Sequence, residues 1–117
     1  MSELQKTILR LAHENRARGE GARVFADYQE GTDVTYPQVL AGYFGWEGTR
    51  AGGGVYQFSK KDIGEKPYRS AMASLSRAFA RLEARELIVR THSMMAAGWT
   101  GADLTDEGRA VARRLSG

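Results

Sequence analysis

Between positions 66 and 90 the chain places basic and small polar side chains on one side of a helical repeat. An arginine guanidinium donates paired hydrogen bonds to guanine O6 and N7, and a serine hydroxyl donates single bonds to phosphates or bases. The residues of this kind are Arg69, Ser70, Ala73, Ser74, Arg77, Arg81 and Arg85. Their shared chemistry is the binding of a polyanion, with a solvated basic surface as the alternative.

Side chains suited to catalysis or to metal binding are sparse in this sequence. There is no cysteine, which excludes disulfides and thiol chemistry, and His13 and His92 stand far apart in the chain. The sequence holds no G-x-S-x-G serine elbow, no H-E-x-x-H zinc motif and no G-x-x-x-x-G-K-[ST] phosphate loop. We therefore expect a protein that is not an enzyme and that uses no metal or cofactor.

Positive charge is concentrated in the segment that carries these arginines. The whole chain of 117 residues has a net charge of +3, whereas residues 66–90 hold six basic and two acidic side chains. Such a local excess favours a nucleic-acid partner more than the modest total charge does.

A long helix and a short strand must position the basic residues. Apolar residues recur at helical spacing, at Met72, Leu75, Phe79 and Leu82. This spacing predicts a helix over about 67–85 that buries one face. A β-prone apolar run, Leu87-Ile88-Val89, follows the helix directly.

Two motifs frame the region that follows this helix. Residues 82–88, LEARELI, end the helix, and residues 104–108, LTDEG, open the last predicted helix. In this order and with this gap they resemble the winged helix-turn-helix domains of MarR-like and PadR-like transcription regulators. The resemblance covers about the last half of the chain. Glu86 departs from the pattern, because the family has glycine at that position.

The resemblance implies an α+β, mostly helical fold: a single winged helix-turn-helix domain over 1–117, with a two-stranded wing and flanking terminal helices. Residues 67–85 would be the recognition helix that enters the major groove of DNA. The wing strands would be 88–92 and 102–104, with Arg90 and His92 as further DNA contacts. Three apolar residues near the tip of the wing indicate that it either folds back to pack or meets a partner protein. They are Met94, Met95 and Trp99.

Within this interpretation the residues of the recognition helix take different roles. We expect Arg69 and Arg77 to reach base edges, while Ala73 allows close approach or contacts a thymine methyl group. Arg81 and Arg85 lie further along the helix, so we expect them to meet backbone phosphates.

The first half of the chain predicts two further helices and an insertion. A helix capped by Ser2 runs to about residue 18, and a second, capped by Thr35, covers 36–44 and braces the recognition helix. Residues 45–65, which we call the insertion, replace the usual short turn with a glycine-rich loop, a short strand and one helical turn at 59–63. In an alternative register, that helical turn is the bracing helix. The basic residues Arg50, Lys60 and Lys61 could touch phosphates.

These observations predict a sequence-specific double-stranded DNA-binding protein, a cytoplasmic transcription regulator with no membrane segment. The alternatives are a winged helix that binds another protein, and a DNA-binding protein of plasmid or phage replication or partition. One short helix reads few base pairs, so we also expect a homodimer, built mainly by the terminal helices at 3–18 and 105–116.

Overall fold

The computed structural model describes residues 1–18, 32–50, 56–92 and 100–116, and within them the fold is α+β and mostly helical. The elements in chain order are α1 (Glu3–Arg18), β1 (Val34–Thr35), α2 (Tyr36–Gly42), β2 (Gly48–Arg50), β3 (Tyr56–Phe58), α3 (Lys60–Ile63), α4 (Glu65–Ala84), β4 (Ile88–His92), β5 (Thr100–Leu104) and α5 (Asp106–Ser116). No helix in the described part of the chain is both long and apolar enough to cross a bilayer.

The sheet beside α4 has three antiparallel strands in the order β1-β5-β4. The expected strand pair is present as β4 and β5. A third strand, which the sequence did not predict, joins them, since β1 pairs with β5 through Val34 opposite Ala102. A two-residue strand has no alternating pattern that the sequence could reveal. Gly101 permits the close pairing, since a Cβ atom there would lie 2.7 Å from the carbonyl oxygen of Val34.

Helix α4 confirms the predicted amphipathic helix, starting two residues earlier and ending one residue earlier than expected. Its buried residues are Ala71, Leu75, Ala78, Phe79 and Leu82. The helix begins directly after Gly64, whose φ of +97° is readily adopted by glycine alone.

The first of the two motifs, residues 82–88, forms the end of α4 and the turn that follows it. Leu87 donates its backbone N–H to the carbonyl of Leu82 at 3.0 Å, and Glu86 donates to Glu83 at 2.9 Å. These two bonds form a Schellman motif, which needs a left-handed residue at the position of Glu86. Glu86 has a φ of 62°. Glutamate thus occupies a conformation that glycine adopts with less strain.

The start of α5 explains the second motif. Thr105 caps the helix, because its hydroxyl accepts from Gly108 N–H at 3.0 Å and donates to the carbonyl of Glu86 at 2.6 Å. A Cβ atom at Gly108 would overlap the carbonyl oxygen of Leu87. The two motifs therefore contact each other, and glycine at 108 allows the backbones to meet.

Helix α1 uses its apolar stripe inside the monomer. Leu4, Ile8 and Leu9 are buried in the core, and α1 packs along α5. Leu11 is only partly buried. Leu4 and Ile8 are therefore not available to a second chain, because the small core needs them, and the expected homodimer can use only the part of α1 that stays open.

A polar network joins α1, the start of α2 and β5 around the buried carboxylate of Asp33. Asp33 accepts from Leu104 N–H at 2.8 Å and pairs with Arg16 at 3.2 Å. Its own N–H donates to Asp103 Oδ1 at 2.9 Å. The side chain of Asn15 donates to the Asp33 carbonyl oxygen at 2.8 Å and to Gln38 Oε1 of α2 at 3.0 Å, so the network joins α1, α2 and β5.

Burial raises the pKa of Asp103 above its ordinary value of 3.8, and the nearby Asp33 carboxylate adds to this increase. The hydrogen bond from Asp33 N–H and the charge of Arg16 act in the opposite direction. The folded state therefore binds this proton more tightly than the unfolded chain does. The contribution of Asp103 to stability consequently rises as pH falls from neutral through its raised pKa toward 3.8.

We expect Asp103→Asn to match or exceed the parent in stability at pH 7. Asparagine keeps an acceptor oxygen for Asp33 N–H while removing the buried negative charge. The difference should shrink as pH falls through the raised pKa of Asp103, because the parent side chain then becomes neutral too. Urea unfolding from pH 7 to pH 4 measures this, with Glu14→Gln on the exposed side of α1 as the control. If Asp103→Asn lowered the free energy of unfolding by the same amount at every pH, the interpretation would be wrong.

We expect Glu86→Gly to raise the free energy of unfolding by about 1 kcal/mol, because it relieves the left-handed backbone at the end of α4. Glu86→Ala is the matched control: it removes the carboxylate but keeps a Cβ atom at the same φ. Thermal and urea unfolding of the three proteins separate the backbone effect from the charge. Equal stability of the glycine and alanine variants would show that the conformation carries no strain.

Candidate nucleic-acid interface

The outer side of α4 carries a continuous row of cations and small residues. We call this row the basic face; it consists of Lys66, Ser70, Ala73, Arg77 and Arg81. All five are exposed, and their spacing of four, three, four and four residues keeps them on one side of the helix. Arg85 is exposed just beyond the last turn, and Ser74 is partly buried at the border of the face.

The acidic residues of α4 lie away from this row, on the flank between the basic face and the buried side. Glu83 faces β4, and Glu65 pairs with Arg69 four residues on. Arg69 has 77% of its side chain exposed, so this pair is a surface ion pair of small strength. Arg77 makes one contact with a neighbour on its helix, to Ser74 Oγ at 3.4 Å. Arg77 is therefore an exposed cation in the middle of the face.

Arg90 was predicted to contact DNA, but in the structure it bonds to other residues of the protein. Its Nη2 donates to the carbonyl oxygen of Ser76 at 2.8 Å, and its backbone N–H donates to Glu83 Oε2 at 3.2 Å. Only 25% of the Arg90 side chain is exposed. Arg90 thus joins β4 to the second half of α4 and holds that helix in position. Its carboxylate partner, Glu83, lies too far along the sequence for the motif alone to reveal the pairing.

The remaining expectations for the wing fall outside what the structure describes. The backbone of His92 belongs to β4, but its side chain is not among the described groups. Met94, Met95 and Trp99 lie in the range 93–99, outside the described residues. The glycines at 52–54 and residues 19–31 lie outside it as well, and so does the side chain of Arg50.

Helix α4 is held by α2 as well as by β4. Tyr36, the first residue of α2, contacts the Phe79 ring with centroids 4.7 Å apart. Its hydroxyl lies 3.2 Å from Ser76 Oγ. Val39 and Leu40 of α2 are fully buried, whereas α3 buries no residue. These contacts favour α2 over α3 as the brace of α4.

The insertion packs on the first turns of α4 through an aromatic cluster of Phe44, Trp46, Phe58 and Tyr68. Trp46 stacks on Tyr68, with centroids 5.1 Å apart and planes 20° from parallel. It also meets Phe58 of β3 edge-on at 5.5 Å. The strand at 56–58 and the helical turn at 60–63 were expected, whereas the pairing of β2 with β3 was not.

Three basic residues outside the predicted site set lie near the start of α4. Lys66 is on the basic face itself, four residues before Ser70. The helical repeat includes Lys66 once the helix is known to begin at Glu65. Lys60 and Lys61 of α3 line a cleft with Tyr68 and Arg69. The sequence indicates Lys60 and Lys61 as phosphate contacts, but helical spacing alone could not place them beside α4, because their position depends on how α3 packs.

The chemistry available at this surface is hydrogen bonding and charge pairing with an anion. Among the described residues, no group of three or more histidine, aspartate or glutamate side chains is placed to hold a metal ion. Compared with family models, with curated proteins and with solved structures, the chain gives no match. Function is therefore inferred below from this surface and its chemistry.

Proposed function

We propose that this chain is a sequence-specific double-stranded DNA-binding protein of the winged helix-turn-helix type, acting as a cytoplasmic transcription regulator. The element order supports the proposal. A helix, a short strand, a bracing helix, a long exposed helix and a strand pair follow one another, and β1 closes the sheet beside β5. In this reading α4 is the recognition helix, and β4 with β5 form the base of the wing.

The observation that carries the proposal is the basic face of α4. Its three cations, Lys66, Arg77 and Arg81, share one exposed side of the helix. Glu65 borders that side at Lys66 and Ser70, and Glu83 is turned toward β4. At 1.5 Å per residue the face extends for about 22 Å along the helix axis. A helix of this kind fits the major groove of B-DNA, which is about 12 Å wide.

Positions along the face then imply different contacts. Arg77 reads a base edge, because it lies at the centre of the face next to the small residue Ala73, which lets the helix approach closely. Arg69 reads a second base. To do so it gives up its surface ion pair with Glu65 and donates hydrogen bonds to a guanine instead. Arg81 and Arg85 lie toward the end of the helix and bind phosphates.

Two other readings predict different behaviour. A winged helix that binds only another protein would show no salt-dependent affinity for duplex DNA. A plasmid or phage replication or partition protein would use the same DNA surface, so the identity of its binding site would separate it from a transcription regulator.

We expect Arg77→Ala to weaken binding to a selected duplex by about 1–3 kcal/mol and to relax base preference at one position. Arg85→Ala should instead weaken selected and random duplexes alike, and lower the salt slope by about one. The preferred duplex comes first from selection out of a random pool. Titrations of both variants at several salt concentrations then measure the two effects.

Arg113→Ala is the matched control for these variants, because Arg113 is an exposed arginine on α5, which packs on α1 and β5. Arg113→Ala removes the same charge and should leave the affinity for duplex DNA and the base preference near those of the parent. If Arg77→Ala and Arg113→Ala reduced affinity equally, the effect would belong to total charge and the assignment of Arg77 would fail. An unmodified chain without measurable affinity for duplex DNA would end the proposal.

We also propose that the active form is a homodimer, so that two recognition helices read two half-sites. Sedimentation equilibrium of the full chain at micromolar concentration should give twice the monomer mass of 12.9 kDa. The surface for it is the part of the terminal helices that the core leaves open, including the partly buried Leu11 and Leu115. A monomer mass both with and without DNA would contradict it.

Leu115→Asp should shift the equilibrium toward monomer with an unchanged circular dichroism spectrum. Leu4 is a poor site for such a test, because it is buried in the monomer core and a charge there would unfold the chain.

A further inference from the structure

Helix α3 has a fixed place on the surface without contributing to the core. It buries no residue of its own, yet it packs against α4. The side chain of Ser59 caps it by accepting from Asp62 N–H at 3.2 Å. The aromatic cluster holds the insertion at the first turns of α4, through the stack of Trp46 on Tyr68. The chain thus orders a segment whose side chains face solvent.

The charges of α3 are separated between two clefts. Lys60 and Lys61 line the cleft that also holds Glu65, Tyr68 and Arg69 of α4. Asp62 lines a different cleft, together with Glu47. The lysines therefore add positive charge on the flank of α4 where Glu65 pairs with Arg69, while Asp62 of the same short helix lines a separate cleft.

Lys60 is also held in position. Its Nζ lies over the ring of Tyr68, 5.1 Å from the centroid, in a cation–π contact. A contact of this kind orders a lysine that would otherwise sample many rotamers, and the Tyr68 ring is itself fixed against Trp46. Ordering before binding lowers the entropy lost when the ammonium group meets an anion.

We propose that α3 forms a phosphate clamp, in which Lys60 and Lys61 bind the DNA backbone beside the groove that α4 enters. This rests on the proposed function and assigns a role to the segment that replaces the usual short turn. An ammonium group binds a phosphate as a point charge and does not read a base. The clamp thus adds affinity and widens the contacted stretch of DNA without adding base preference.

The test is the double variant Lys60→Ala, Lys61→Ala in the full chain, titrated with the selected duplex and with a random duplex over a range of salt. Affinity for both duplexes should fall by the same factor. The slope of log affinity against log salt should fall by about two, since two phosphate contacts are lost. Hydroxyl-radical footprints should lose protection at one edge and keep it at the centre.

Two control comparisons make the result specific. Arg113→Ala, Arg114→Ala removes the same number of charges from exposed positions on α5 and should leave the salt slope unchanged. Tyr68→Phe keeps the ring under Lys60 and should bind as the parent does, whereas Tyr68→Leu should reduce the slope. Circular dichroism confirms that each variant is folded.

The outcomes separate this inference from the function on which it rests. If the parent binds DNA and Arg77→Ala relaxes its preference, but the double lysine variant keeps the parent slope and footprint, the clamp is wrong and the function stands. If the α5 control lowers the slope as much as the lysine variant does, the clamp is also wrong. A parent chain that binds no duplex DNA overturns both.

Discussion

The buried carboxylate of Asp33 is the constraint on which the described fold depends. A carboxylate out of water needs hydrogen-bond donors and a counter-charge, and here Leu104 N–H and Arg16 supply them. Arg16 keeps 45% of its side chain exposed, so water screens its charge and the pair counts for less than a fully buried one, whereas the hydrogen bond from Leu104 N–H is buried. Because the donors come from α1 and β5, one side chain fixes these two elements to the segment that precedes β1 and α2.

Helix α4 connects the core to the exposed basic face. Its buried side packs in the core through Leu75 and Phe79, and Phe79 meets the ring at the start of α2. Arg90 ties β4 to the same helix by way of Ser76 and Glu83. The orientation of the basic face is therefore determined by contacts on the opposite side of the helix. A positively charged surface becomes a candidate DNA-reading surface only when it is held at a defined angle.

The sequence by itself determined the elements that depend on near neighbours. The periodicity around Leu75 is enough to define α4, because a helix repeats every 3.6 residues and buries one side. Thr105 predicts the start of α5 for the same local reason, as its hydroxyl reaches N–H groups of its own first turn. The exposed cations of α4, Arg77 among them, follow from the same periodicity. The α+β class and its helical majority were accessible in this way.

Only the tertiary structure decided which distant residues meet. The pairing of β1 with β5, the burial of Asp33 and the use of Arg90 inside the molecule each join segments that the sequence leaves unconnected. The position of Lys60 beside Tyr68 depends on an aromatic stack between the insertion and α4. Local propensity acts over a few residues, whereas these contacts arise from packing across the chain. The core therefore decides which charged side chains are buried as supports and which remain exposed to bind.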